Sequence, residues 1–162
     1  MSLKPVELII PELTKSVVKA AFPKGNAYLT MRDELGSIFK DESFSELFAV
    51  RGQAAYSPAR LALILIVQFA EGLTDRQVAE AVRARLDLKY LLALELNDSG
   101  FDASILTEFR SRLIEGALEE QLLNDMLKLF NELGLLKAKG KQRTDATHVL
   151  SAAHALNRLE SI

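Results

Sequence analysis

Apolar residues recur at helical spacing along most of the chain. The longest pattern lies in ALEEQLLNDMLKLFNELG, where leucines, a methionine and a phenylalanine stand three or four positions apart and Gly134 follows the last of them. It predicts a helix over about residues 118–133. A second pattern begins at Asp102 or Ser104. Its apolar residues share one face of a helix: Ile105, Leu106, Phe109 and Leu113.

The amino-terminal part of the chain predicts shorter helices. Residues 12–22 have an apolar face that ends before Pro23 and consists of Leu13, Val17, Val18 and Ala21. A second helix is expected over residues 27–40, although Gly36 weakens that pattern. Residues 43–50 are expected to form a short helix or turn that presents apolar side chains to the core, namely Phe44, Leu47 and Phe48.

The most apolar segment follows a Ser-Pro pair. Ser57 and Pro58 are typical of a helix start, as cap and first helical residue. The seven apolar residues 61–67 then predict a helix that is buried on nearly every side, at the centre of a bundle. Gly72 is expected to end this helix.

A second helix is predicted directly after that glycine. Thr74 and Gln77 have capping-box spacing, and the apolar stripe that follows is Val78, Ala81 and Val82. A further turn or two of helix is expected at residues 87–96, before the break at NDSG. These elements predict an all-α fold, a multi-helix bundle with a helix-turn-helix-like pair over residues 59–85.

Composition and charge limit the chemistry. The 162 residues contain no cysteine, which excludes thiol catalysis, iron–sulfur clusters and cysteine-based zinc sites. No Walker-type phosphate loop or G-x-S-x-G elbow is present, so no small-molecule substrate is indicated. The longest apolar run is far shorter than the roughly 20 residues that span a bilayer, so no membrane contact is expected. Because the formal net charge is −2, any DNA contact should be local.

Arginines on the second helix of the pair are the first candidates for such contact. A helix of this kind can enter a DNA groove, where Arg76, Arg83 and Arg85 could hold phosphate or read guanine. On the pattern alone, a solvated helix face explains them better, since neighbouring acids offset their charge. Arg110 and Arg112 point in different directions, so at most one can join a given contact surface, and the other is expected to pair with an acid such as Glu108 or Glu115.

The last segment differs from the rest. Basic residues alternate along LLKAKGKQR, which predicts an extended linker, and TDATHVL is the one convincing strand pattern. Asp145, His148 and His154 are residue types that bind divalent ions, but their spacing matches no compact metal motif. A surface or hydrogen-bonded role explains the histidines better.

Several stretches in order resemble one family. The run at residues 52–113 contains the Ser-Pro start, the apolar helix, GLTDRQ and the ending FDASILTEFRSRL. It resembles the N-terminal helical domain of bacterial DDE-type insertion-sequence transposases of the InsH type. GKQRTDATHVLSAAHALNRLE looks like the junction at which such proteins enter their catalytic domain. The implied division is a helical domain at residues 1–136 and, at 137–162, a basic linker with the incomplete start of a ribonuclease-H-like domain.

The resemblance also implies a role for Asp145. In this family the first strand of the catalytic domain carries the first of three metal-binding acids, and Asp145 in TDATHV has that position. The other two acids lie far downstream in such proteins, so the chain is expected to be truncated and inactive alone. Two-metal phosphoryl transfer needs several carboxylates around ions about 4 Å apart. Mg²⁺ is implied for the full-length family, and no cofactor is expected in this chain.

DNA engagement at the element's terminal repeats is the role that the resemblance implies for the helical domain. From charge and helix geometry, the expected contacts are Arg60, Arg76, Arg83, Arg85 and Lys89, with the linker residues Lys137, Lys139, Lys141 and Arg143. The alternative is a helical interaction module or regulator without DNA affinity, which forms a homodimer through residues 118–133. Either protein is expected in the cytoplasm, the DNA-binding one at the nucleoid.

Overall fold

A computed structural model describes residues 1–36, 39–49 and 51–132. All of its regular elements are helical, and the only β-type pairing in these ranges is a pair of isolated bridges at Ser2. The helices are α1 (Glu12–Ala21), α2 (Ala27–Leu35), α3 (Pro58–Glu71), α4 (Asp75–Ala84), α5 (Leu86–Leu91), α6 (Ser104–Glu115) and α7 (Glu119–Glu132), with a 3₁₀ helix at Asp41–Leu47. The predicted all-α class is confirmed for this part of the chain.

Helix α3 lies at the centre of the main core. Every residue from Leu61 to Val67 is at most 2% exposed, as the continuous apolar run predicts. Ser57 caps the helix, and Gly72 ends it in the left-handed conformation with φ 66°. The buried carboxylate of Asp41 accepts hydrogen bonds from Ser57 Oγ at 2.7 Å and Ala59 N at 3.0 Å. Because these donors lie at the start of α3, Asp41 fixes that helix to the 3₁₀ segment.

A smaller apolar cluster joins α1, α2 and α5. It contains Val18, Leu29 and Tyr90, all buried. Thr14 of α1 is also buried, and its hydroxyl donates to the carbonyl of Leu94 at 2.8 Å. The predicted apolar face of α1 was therefore wrong by part of a turn, because Leu13 is 64% exposed while Thr14 faces inward. Thr14 can do so since its hydroxyl has a partner there.

Two predicted helices are shorter than expected. Helix α2 ends at Leu35, where Gly36 adopts φ 60°, instead of continuing to residue 40. Helix α5 ends at Leu91 instead of residue 96, because Ala93 turns into the left-handed region with φ 55°. Leu94 N then bonds back to Lys89 O at 2.8 Å, which closes the helix end as a Schellman turn does.

The 3₁₀ helix begins at Asp41 and ends at Leu47, earlier at both ends than the predicted segment 43–50. The capping box of Thr74 and Gln77 is present at the start of α4. Phe44 and Leu47 are buried in the 3₁₀ helix, and Phe48 is half-buried. Within the described ranges no helix is long and apolar enough to cross a bilayer. The predicted strand at TDATHVL, the basic linker and Gly134 lie outside the described residues.

Candidate nucleic-acid interface

Helix α4 has one buried face and one polar exposed face. Its inward residues are Val78, Ala79 and Val82, which pack into the main core between α3, α5 and α6. The residues exposed on the other side are Arg76, Gln77, Glu80, Arg83 and Ala84. Helix α3, residues 72–74 and α4 are consecutive, and the two helices pack against each other. The polar face of α4 is therefore held outward by the core beneath it.

Arg76 and Arg83 are the two cations on this face. Arg76 is exposed and makes no hydrogen bond or ion pair with any residue in the described ranges. Arg83 is also exposed, and its Nε donates to the carbonyl of Ser99 at 3.0 Å. That bond leaves the terminal nitrogens of Arg83 without a described partner and fixes the stem of the side chain. Both guanidinium groups can therefore reach an external anion.

Arg85 has a different environment, although it belongs to the same predicted set. Its guanidinium contacts Glu71 at 2.6 Å and Asp87 at 2.8 Å, and it lies over the ring of Tyr28. The hydrogen bond to Asp87 raises the pKa of Arg85 above its ordinary value. Two carboxylates neutralise this cation, so the structure gives it a role in joining α2, α3 and α5.

Lys89 is buried, at 1% exposure. Its Nζ donates to the backbone carbonyl of Asp98 at 2.6 Å, and burial lowers the pKa of the amine. In this arrangement the amine is not exposed to an external phosphate. The burial of Lys89 therefore removes it from the expected contact set.

Arg60 is turned toward the end of α5. Its Nε donates to Leu92 O at 2.8 Å and its Nη2 to Ala93 O at 3.0 Å. The last carbonyls of a helix lack intrahelical partners, and a cation at that end also interacts favourably with the helix dipole. Arg60 thus stabilises the end of α5 and the left-handed residue Ala93, and its guanidinium is directed toward these carbonyls.

A polar network fixes the start of α4. The carboxylate of Asp75 accepts from Arg110 of α6 at 2.5 and 3.0 Å and from Gln68 of α3 at 2.6 Å. Burial opposes ionisation of Asp75, but the hydrogen bonds from Arg110 and Gln68 outweigh it and hold the pKa below 3.8. The network connects three helices at the turn between α3 and α4. Sequence reasoning missed Asp75 as the partner of Arg110, because the two are far apart in the chain.

Arg112 forms the ion pair with a nearby acid that the sequence predicts for one of the two arginines of α6. It pairs with Glu108 at 3.2 Å, one turn earlier on α6, and also donates to Leu47 O at 2.9 Å. Since Arg110 is engaged as well, neither arginine of α6 adds a free cation to the exposed face of α4.

Sequence reasoning also passed over Glu80. Glu80 stands four residues after Arg76 and three before Arg83. That spacing places all three side chains on one side of a helix, and the spacing could have singled Glu80 out.

The remaining predicted site residues lie outside the described ranges: Lys137, Lys139, Lys141, Arg143 and Asp145, together with His148 and His154. Within the described ranges no group of three or more acidic or histidine side chains is arranged to hold a metal ion.

Comparison with known protein families gives a match. A family model described as a transposase domain, DUF772, matches residues 16–112, which is more than half of the chain and runs from α1 to α6. Searches of curated proteins and of solved structures gave no significant match.

Proposed function

Since the chain belongs to the transposase-domain family DUF772, we propose that its helical portion binds DNA within a DDE-type transposase and does not itself cut the strands. The transposase-related role follows from the family. The DNA-binding role, the expected target at the element's terminal repeats and the absence of cutting are our proposal.

The exposed face of α4 is the observation that carries it. Arg76 and Arg83 lie two turns apart on one face, which corresponds to about 10 Å along a helix that rises 1.5 Å per residue. That length suits the major groove, which is about 12 Å wide. We propose that α3 and α4 act as a helix-turn-helix pair, in which α4 enters the groove.

The overall charge supports a local contact of this kind. With a formal net charge of −2 the chain has no general attraction for phosphate, so affinity has to come from a few positioned cations. Arg60, Arg85 and Arg110 are occupied by carbonyls or carboxylates, which concentrates the proposed contact on Arg76 and Arg83. The linker cations at 137–143 remain proposed backbone contacts.

Strand cutting needs a set of carboxylates that hold a pair of metal ions. The acid that the resemblance assigns to this task is Asp145, which would be one metal ligand in a complete catalytic domain. We propose that the helices at residues 1–132 position DNA and contribute no ligand to that centre.

The test is an anisotropy titration of labelled duplex DNA at two salt concentrations. Wild-type protein should bind terminal-repeat DNA, with affinity that falls as salt increases because phosphate contacts release counterions. The double substitution Arg76→Gln with Arg83→Gln should lower the slope of log affinity against log salt by about two, since each lost phosphate contact removes roughly one unit. The same reactions with Mg²⁺, run on a denaturing gel, should show uncut strands.

Lys24→Gln with Arg51→Gln is the matched control, because both side chains are exposed outside α4 and the pair loses the same two charges. An unchanged slope in the α4 variant would contradict the assignment to α4. Failure of the wild-type protein to bind at low salt would instead favour the helical interaction module, and light scattering would then show whether the chain forms a homodimer.

A further inference from the structure

Glu80 is the one acid among the exposed residues of α4. It lies between Arg76, one turn before it, and Arg83, one turn after it. Acid–base pairs at these spacings commonly form ion pairs on a helix surface. Glu80 nevertheless makes no ion pair or hydrogen bond with any residue in the described part of the chain. Arg83 instead directs its Nε to the Ser99 carbonyl.

A carboxylate at this position affects the binding of DNA in two ways. Phosphate oxygens repel it, so it weakens contact with the DNA backbone, which is the same for every sequence. In the major groove, however, the amino group N4 of cytosine donates a hydrogen bond that a carboxylate can accept. Glu80 therefore costs affinity for any DNA that does not place such a donor opposite it.

The neighbours of Glu80 fix where that donor must lie. Arg76 and Arg83 flank it on the same face, and both carry donors suited to phosphate or to guanine. Helix α4 is itself held in place by the Asp75–Arg110 pair at its start and by the Ser99 contact near its end. In the proposed docking of α4, the carboxylate lies between the contact points of the two arginines.

We infer that Glu80 is a specificity-determining residue, which selects a cytosine–guanine base pair in double-stranded DNA between the contact points of Arg76 and Arg83. This inference rests on the proposed DNA-binding function of α4. It adds to that function the chemical identity of one base pair and the residue that reads it.

The experiment selects bound sequences from a pool of random duplex DNA and determines them by sequencing. It uses the full chain as wild type, as Glu80→Gln and as Glu80→Ala. The matched control is Glu120→Gln, since Glu120 is an exposed glutamate on α7 and undergoes the same charge change. Circular dichroism confirms that each variant is folded. Affinity for one fixed duplex of unrelated sequence is measured in parallel.

Wild type and Glu120→Gln should both prefer cytosine at one position by about tenfold. Both Glu80 variants should lose the preference at that position alone and bind the unrelated duplex several times more tightly. Retention of the preference in the Glu80 variants, equal loss in the control, or wild-type binding without any sequence preference would overturn the inference and leave DNA binding by α4 intact. Absence of wild-type binding at low salt would overturn the proposed function as well.

Discussion

At the scale of single residues, the basic side chains of α4 and its surroundings differ in exposure and in binding partners. Arg76 and Arg83 lie exposed on α4, whereas Arg85, two positions after Arg83, is held by two carboxylates. Lys89 is the extreme case, because its amine is buried beneath the loop that contains Asp98. Counting cations in the sequence overestimates the number that are free to contact an external anion.

The pair of Asp75 and Arg110 gives a prediction at this scale. The pKa of Asp75 is depressed in the folded protein, so its ionisation stabilises the fold above the ordinary value of 3.8 and this contribution is lost as pH falls below it. Asp75→Asn should lower the free energy of unfolding by about 1.5–3 kcal/mol at neutral pH, the range for a hydrogen bond to a charged group. Urea denaturation at neutral and acidic pH measures this difference.

A double-mutant cycle separates this pair from other effects. Arg110→Gln should have a similar cost at neutral pH, and the double variant should lose much less than the sum of the two. The difference between wild type and Asp75→Asn should shrink in acid. Additive costs, or a difference that is constant with pH, would show that the contact at 2.5 Å does not stabilise the start of α4.

At the scale of elements, two small residues, Gly116 and Ala117, have different structural roles in the turn between α6 and α7. Gly116 has an ordinary negative φ, but an added Cβ would come within 2.3 Å of Leu47 Cδ2, so the glycine provides room for packing. Ala117 has the left-handed conformation, with φ 54°. Glycine is the usual residue in that conformation, because a Cβ there is sterically unfavourable.

The left-handed conformation of Ala117 predicts a stabilising substitution. Ala117→Gly should raise the free energy of unfolding by about 0.5–1 kcal/mol, because it removes the cost of a left-handed alanine at an exposed site. Ala20→Gly, the same change at an exposed position in α1, should instead lower it by up to about 1 kcal/mol. Thermal denaturation of both variants should give shifts of opposite sign. Destabilisation by both would mean that Ala117 is not strained.

At the scale of the whole molecule, α3 supports the exposed face of α4. The main core gathers side chains from α2, from the 3₁₀ helix and from α3 to α7 around the apolar run of α3. Leu65→Ala should lower the free energy of unfolding by about 2–5 kcal/mol, since it leaves a cavity at a side chain that is 0% exposed. Chemical denaturation followed by circular dichroism measures the loss.

The matched control is Leu13→Ala on α1, where the leucine is 64% exposed. It should change stability by no more than about 0.5 kcal/mol, because surface substitutions have small effects. Equal losses from the two variants would contradict the assignment of α3 to the centre of the bundle. The comparison also tests the corrected face of α1, in which Thr14 and not Leu13 points inward.

Much of the fold could be predicted because its determinants are local. Ser57, Gly72 and the Thr74–Gln77 box act on residues within one turn of themselves, and all three have the predicted roles. The early end of α2 has a signal in the sequence, Gly36. The early end of α5 was harder to predict, since Ala93 gives no such signal. The left-handed conformation of Ala93 is stabilised by Arg60, which donates to its carbonyl and lies far away in the sequence.

By itself, the sequence determined the helical class, most of the helix starts and the burial of α3, because helical periodicity and capping depend on neighbours a few positions away. The tertiary structure alone decided which cations remain exposed. That choice depends on which helices pack together and bring Asp75 to Arg110, or the end of α5 to Arg60. Partner selection of this kind joins residues far apart in the chain, and no short sequence pattern encodes it.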